Sequence, residues 1–294
     1  YTSGTTGRPK GVVLTHANFL AECAATRSAV GSGLEEGNST LLFLPLAHVF
    51  ARVIAVASLA QGRLGDRLGG LVVGLPLTSG TFLGLLHLSH GPEALTHGAL
   101  GMLGGQVAVV AMCVTYATAA PRHSPAVALA MTVVARVVGI ALVRTFPQGV
   151  LVTAALHVLV ALAALARWPR AEPVTMAGPG RSARHDLVVR VAIGSALVIA
   201  LAATVETLGS GLAGALAAAP LVALVLSPST HGRRGARAVQ DLLSGVVRGS
   251  LGAAAFGLVA ACSAHHLGGL ALVAATTACL AVVGLVGRLD SLRP

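Results

Sequence analysis

Between residues 68 and 286 the sequence runs repeatedly through about twenty residues with scarcely a charge: 68–89, 98–119, 124–144, 147–167, 187–205, 208–226, 243–262 and 266–286. A helix crosses the hydrocarbon core of a bilayer in about 20 residues, so each run is a predicted span. A shorter run, 49–62, would make a ninth. Charged residues are 10% of the chain and hydrophobic ones 55%, whereas a typical soluble domain carries roughly 25% charge. So little polar surface cannot cover a soluble core of this size. The expected fold is an all-α polytopic membrane protein of eight or nine transmembrane helices.

Between the runs lie breaker clusters such as SHGPEALTHG, APRHSP and SPSTHGRRGARAVQD, read as loops. The stretch 168–186, polar, basic and rich in Pro and Gly, reads as the one long loop. Threading the spans in order puts Arg63, Arg67, Arg122, Arg167, Arg170, Arg181, Arg184, Arg190, Arg233, Arg234, Arg237, Arg288 and Arg293 on one side and Arg144 on the other. Lysine and arginine gather in cytoplasmic loops, so the arginine side and the C-terminus are expected to be cytoplasmic, in a bacterial inner membrane. The net charge of +10 does not form a basic stripe with interleaved aromatics, so nucleic acid is not an expected partner; the lipid bilayer is. The four cysteines, Cys23, Cys113, Cys262 and Cys279, lie far apart and read as small hydrophobes, with no metal site expected.

An internal repeat is visible. GLVVGLPL (70–77) resembles GALAAAPL (214–221), which aligns Gly70 with Gly214 and Pro76 with Pro220. Gly101 and Gly105 align with Gly245 and Gly249 at the same offset of 144 residues. Chance similarity between helices rich in Ala, Leu and Gly is the alternative. If the repeat is real, equivalent helices are five spans apart; an odd number inverts the second copy, giving the inverted-repeat plan of many secondary transporters.

Ionisable residues inside a bilayer are functional candidates, because an arginine at the centre costs at least about 2.5–3.5 kcal/mol on insertion scales. Arg136, in LAMTVVARVVGIALV, is the first, and Glu206 is the acidic residue nearest a span interior and its candidate partner. The other reading is that Arg136 snorkels or bonds a neighbouring helix's carbonyls. GLPLTSG (74–80) is the second candidate: Pro76 interrupts the helix, Thr78 and Ser79 supply hydroxyls, and Pro220 breaks the equivalent helix. Paired interrupted helices point to a midplane site, although Gly/Pro kinks also occur in membrane helices that bind nothing.

The first residues are of another kind. YTSGTTGRPKGV (1–12) resembles the signature loop of the adenylate-forming superfamily, which includes acyl-CoA synthetases, and FLPLAHVFAR (43–52) resembles a second motif of long-chain acyl-CoA synthetases. The resemblance implies a truncated α/β segment over 1–55, with the transmembrane domain at 56–294. It also implies that Thr2, Ser3, Gly4, Thr5, Thr6 and Gly7 wrap the phosphates of ATP, with Lys10 adding positive charge and His48 near the acyl pocket. Backbone N–H groups in such a glycine-rich loop suit that task.

Activity does not follow from the resemblance. The family also uses a Tyr-Gly-x-Thr-Glu segment, an aspartate in a Thr/Ser-Gly-Asp segment and a lysine in a C-terminal domain. Neither Tyr1 nor Tyr116 precedes a glycine, no such aspartate segment occurs, and Lys10 is the only lysine. Catalysis depends on positioning several groups at once. A synthetase fragment joined to a membrane protein is therefore expected, with no catalytic residue and no cofactor. ATP and magnesium enter only if the chain is instead a membrane-associated AMP-forming ligase. The join falls within 50–66, where the run 49–62 reads either as the synthetase's next helix or as a membrane helix.

Overall fold

The computed structural model describes residues 61, 63, 65–145, 149–171, 211, 212, 214–218 and 221–291. The chain divides into two compact units, Tyr1–Leu42 and Phe43–Pro294, of which the first lies outside the described residues. Regular structure among the described residues is helical: α1 Asp66–Val73, α2 Leu77–Ala119, α3 Pro125–Val143, α4 Val150–Ala166, α5 Leu221–Leu267 and α6 Leu270–Ser291. A short helical stretch, 214–217, precedes α5. Four helices are long and apolar enough to cross a membrane by length and composition: Asp66–Ala119, Pro125–Val143, Gly214–Leu267 and Leu270–Leu289. Helix α4 is apolar but shorter.

Two stretches expected as loops are helical. SHGPEALTHG lies within α2 and SPSTHGRRGARAVQD within α5, each broken at one glycine only. Gly91 has φ 78° and Gly235 φ 83°, a left-handed conformation in which a side chain would be strained. One such residue is enough to redirect a helix. Pro92 follows Gly91 directly, where its missing N–H falls in the first turn of the next helical segment and costs no bond. The APRHSP cluster is a turn, and Pro125 occupies the first turn of α3.

The core is a seam of backbone against backbone. Cβ atoms added to Gly70 or Gly214 would overlap the carbonyls of Leu242 and Gly98 respectively. Gly101 meets the Gly211 carbonyl and Gly245 that of Arg67; Gly105 meets Ala215 and Gly249 meets Leu71. In each pair the second contact is the first with both partners moved by 144 residues and exchanged. Reciprocal contact of this kind is the signature of a two-fold relation, residue i touching j and j touching i. The same offset relates Gly91 to Gly235, the start of α2 at Leu77 to that of α5 at Leu221, and α3 to α6. The aligned glycines of the repeat thus lie on its symmetric interface.

Hydrogen bonds gather the ends of the elements. At one end Asp66 pairs with Arg234, Gln61 bonds Thr230 (3.0 Å), Gln240 donates to the Ala117 carbonyl (2.8 Å), and Trp168 donates to the Gln240 carbonyl (3.2 Å). Arg237 also bonds Asp241 (3.3 Å) there. At the other end Gly269 lies against His87 and Gly211 against His97. The arginine-bearing segments around 67, 122, 167–170 and 233–237 therefore share an end, as the threading requires.

Large apolar side chains cover the outside of α3, α4 and α6. Val134 is 62% exposed, Leu151 72% and Val273 63%. Apolar faces this large need a cover, and several of these helices are apolar enough to span a membrane.

Candidate functional site

The two helix breaks sit at equivalent places and are completed differently. In the first, α1 ends at Val73 and α2 begins at Leu77, with Pro76 between them. The break closes most of its own backbone: Leu75 N–H donates to the Val72 carbonyl (3.2 Å), Leu77 N–H to Leu75 (2.8 Å) and Gly80 N–H to Pro76 (2.6 Å). Pro76 and Thr78 are half-buried, and Ser79 is buried. Beside the break lies a cavity of about 240 Å³ whose walls include Pro76, Gly80, Phe256, Thr276 and Leu280. It is largely apolar, with Thr81 and Thr276 as its hydroxyls.

The second break lies after the helical stretch 214–217. Proline has no N–H, so Pro220 cannot donate to the carbonyl four residues earlier, that of Leu216. Arg136 does so instead. From the middle of α3 its Nη2 donates to the carbonyls of Ala215 (2.9 Å) and Leu216 (3.3 Å). Its side chain is 7% exposed, and Nη1, also buried, has no partner among the described residues. Thr132, one turn earlier, is buried and donates to the Ala128 carbonyl (2.7 Å). The partners of Arg136 among the described residues are thus main-chain carbonyls. Its expected partner Glu206 lies outside the described residues, as do Pro220, the phosphate-loop residues Thr2, Ser3, Gly4, Thr5, Thr6, Gly7 and Lys10, and His48.

The equivalent of Arg136 in the other copy is Leu280, on α6 beside the cavity. One break is therefore held by a guanidinium and the other faces an apolar cavity. Sequence reasoning singled out both breaks but not this difference.

It also passed over a polar cluster at the centre. His157, in the middle of α4, is fully buried, and its Nε2 lies 3.3 Å from the Ser250 hydroxyl of α5. Gln106 and Thr153 are buried as well. A histidine in the middle of an apolar run was the available signal. Cys113, Cys262 and Cys279 are free thiols, the first and third buried. No group of three or more metal-ligating side chains occurs among the described residues.

Helices, four of them long and apolar enough to cross a membrane, make up the described residues; comparison with known proteins describes only the N-terminal segment. The family model for AMP-binding enzymes matches residues 1–64. Over 58 residues the chain is 52% identical to the long-chain-fatty-acid–CoA ligase FadD15 of Mycobacterium tuberculosis, covering 20% of this chain and 10% of that protein. It is 41% identical over 64 residues to human long-chain-fatty-acid–CoA ligase 1, covering 21% and 9%. Acyl-CoA ligase 891 of Penicillium brevicompactum is 42% identical over 73 residues, covering 24% and 10%. The chain thus spans about a tenth of the length of the curated relatives it matches. No solved structure matches.

The N-terminal segment resembles adenylate-forming enzymes, and the match reaches into the predicted join. Gln61, inside the matched range, is buried, bonds Asp66 (2.7 Å) and Thr230, and packs on Gly69. Residue 61 therefore belongs both to the family's match and to the membrane-type bundle.

Proposed function

We propose that this is an integral membrane protein of transporter-like architecture, built as an inverted repeat and joined to a non-catalytic fragment of an acyl-CoA synthetase. The reciprocal glycine contacts 144 residues apart carry this reading. Gly91 and Gly235 divide α2 and α5, so the described residues cross the membrane seven times: 66–90, 92–119, α3, α4, the segment ending at 234, 236–267 and α6. Runs 49–62 and 187–205 bring the count to nine. Residues 66–90 then leave the arginine-bearing end, while their equivalents, 210–234, arrive at it. That reversal is the inversion, with α4 as the connecting helix.

The interrupted helices at Pro76 and Pro220, with Thr78, Ser79 and Arg136, are the proposed solute pathway, and Glu206 is its proposed acidic member. The arginine-bearing end faces the cytoplasm of a bacterial cell, and lipid is the immediate partner. Cysteines introduced at Ser182 and Ser291 test the topology: both should resist an impermeant thiol reagent in intact cells. Labelling at either position contradicts the nine-span arrangement.

Acyl-adenylate formation is the second reading, supported by the match over residues 1–64. Lacking the adenine-binding segment and any lysine beyond Lys10, the purified chain should show no fatty-acid-dependent pyrophosphate exchange. Exchange that Lys10→Ala abolishes would establish the ligase reading instead, with ATP and magnesium as its cofactors.

A further inference from the structure

We propose that His157 is a proton-binding site at the centre of the bundle, where proton uptake at Nδ1 favours a conformation in which the two copies part and admit water. The proposal rests on the inverted-repeat reading and adds a coupling site to it.

Helix α4 connects the copies and packs against both α2 and α5. His157 presents its ring between equivalent positions: Ser250 of the second copy corresponds to Gln106 of the first, and the main chain of both residues adjoins the ring. The pseudo-two-fold relation thus places the ring at the interface about which the copies are arranged. In inverted-repeat transporters this is where coupling-ion sites occur.

The hydrogen bonds assign the proton already present. The Ser250 hydroxyl has one hydrogen, and it goes to the Val247 carbonyl (2.7 Å). Toward Nε2, at 3.3 Å, the same oxygen can only accept. Nε2 therefore carries the ring's hydrogen, and Nδ1 is left with a lone pair. Nδ1 is buried and has no hydrogen-bond partner among the described residues. It is a basic atom held open.

Among the described residues no charged side chain compensates a proton there. On α5 the nearest charge in sequence, Arg248, donates to the Ser244 carbonyl (3.1 Å). On α2 Cys113 interacts with Arg136 of α3. The groups acting on the ring are Ser250 and Gln106, both neutral, and Thr153 one turn away on α4 is neutral too. An imidazolium in this closed packing would be a buried charge with no counter-charge among the described residues, which is disfavoured even though the main chain of Ser250 and Gln106 offsets part of the cost. Water reaching the ring removes that penalty. A ligand shifts a conformational equilibrium only through its different affinity for the two states; the proton has that difference here, since the closed state solvates only the neutral ring.

The test uses the full chain in lipid nanodiscs with 15N-labelled histidine. The imidazole signal absent from His157→Gln identifies His157; if that variant does not fold, Ser250→Ala assigns the signal by its shift. Protonation is expected within a titration from about pH 7 down to about pH 3. It should be accompanied by at least about tenfold faster amide exchange over 100–110 and 246–254, after correction for the intrinsic pH dependence. A ring that stays neutral throughout that range overturns the site, and protonation without faster exchange overturns the coupling. Neither readout needs a transported solute, and thiol labelling tests the spanning topology separately, so failure here and failure of the transporter reading are distinguishable.

Discussion

The break near Pro76 and the break near Pro220 occupy equivalent positions, yet their chemistry differs. Arg136 bonds the last carbonyls of the second copy's interrupted helix, while its counterpart Leu280, 59% exposed, borders a cavity of about 240 Å³ beside the first. The glycine contacts between the copies, in contrast, are matched pair by pair. Backbone geometry is thus kept where the copies touch each other, and side-chain identity diverges on α3 and α6, which flank the breaks.

The largest expected effect comes from breaking the matched part. Gly70→Leu and Gly214→Leu each drive a side chain into the facing main chain, at Leu242 and Gly98. Neither backbone can retreat within a close-packed core, so each should cost about 3 kcal/mol or more, and the folded protein should be lost from detergent extracts. Gly284→Ala and Gly287→Ala, where an added Cβ meets nothing within 4 Å, should leave the melting temperature no lower, since alanine also favours the helix. Equal damage at all four sites would remove the distinction between seam and periphery.

Breaking the unmatched part should cost less. Arg136→Leu leaves the Ala215 and Leu216 carbonyls without their guanidinium partner. An unsatisfied buried group costs about 1–3 kcal/mol, so thermal stability should fall by that amount, whereas Leu280→Ala, at an exposed position, should cost about 1 kcal/mol or less. If the two variants melt alike, the guanidinium does not hold the second break.

The smallest effect is expected at the cavity. A Cβ on Gly80 would stand 3.4 Å from the Phe256 ring, an ordinary contact. Gly80→Ala should therefore change stability by no more than about 1 kcal/mol, in the stabilising direction, since alanine also favours the helix. Marked destabilisation would mean that the backbone at the first break needs the freedom of glycine.

The signals legible in the sequence were those carried by short-range chemistry. Helix α3 and helix α4 follow from apolar runs closed by turn residues, and the end shared by the arginine segments follows from threading those runs. The alignment of Gly70 with Gly214 and of Gly101 with Gly245 was readable because a residue that must admit a backbone leaves a fixed mark. The reading failed where one residue did the work of a loop. SHGPEALTHG and SPSTHGRRGARAVQD carry loop composition, but a helix end needs only a positive-φ residue, and Gly91 and Gly235 supply it.

By itself, then, the sequence determined that most of the chain is apolar enough for membrane helices and that its first residues resemble an adenylate-forming loop, and it offered a repeat at an offset of 144 with chance similarity as the alternative. These depend on composition, local spacing and strings of adjacent residues. Tertiary structure decided which carbonyls Arg136 reaches, that a cavity borders the first break, and that His157 lies between Gln106 and Ser250. Those are relations between residues dozens of positions apart, set by how helices register across the glycine seam. No local pattern encodes that register; it exists only once the two copies are packed together.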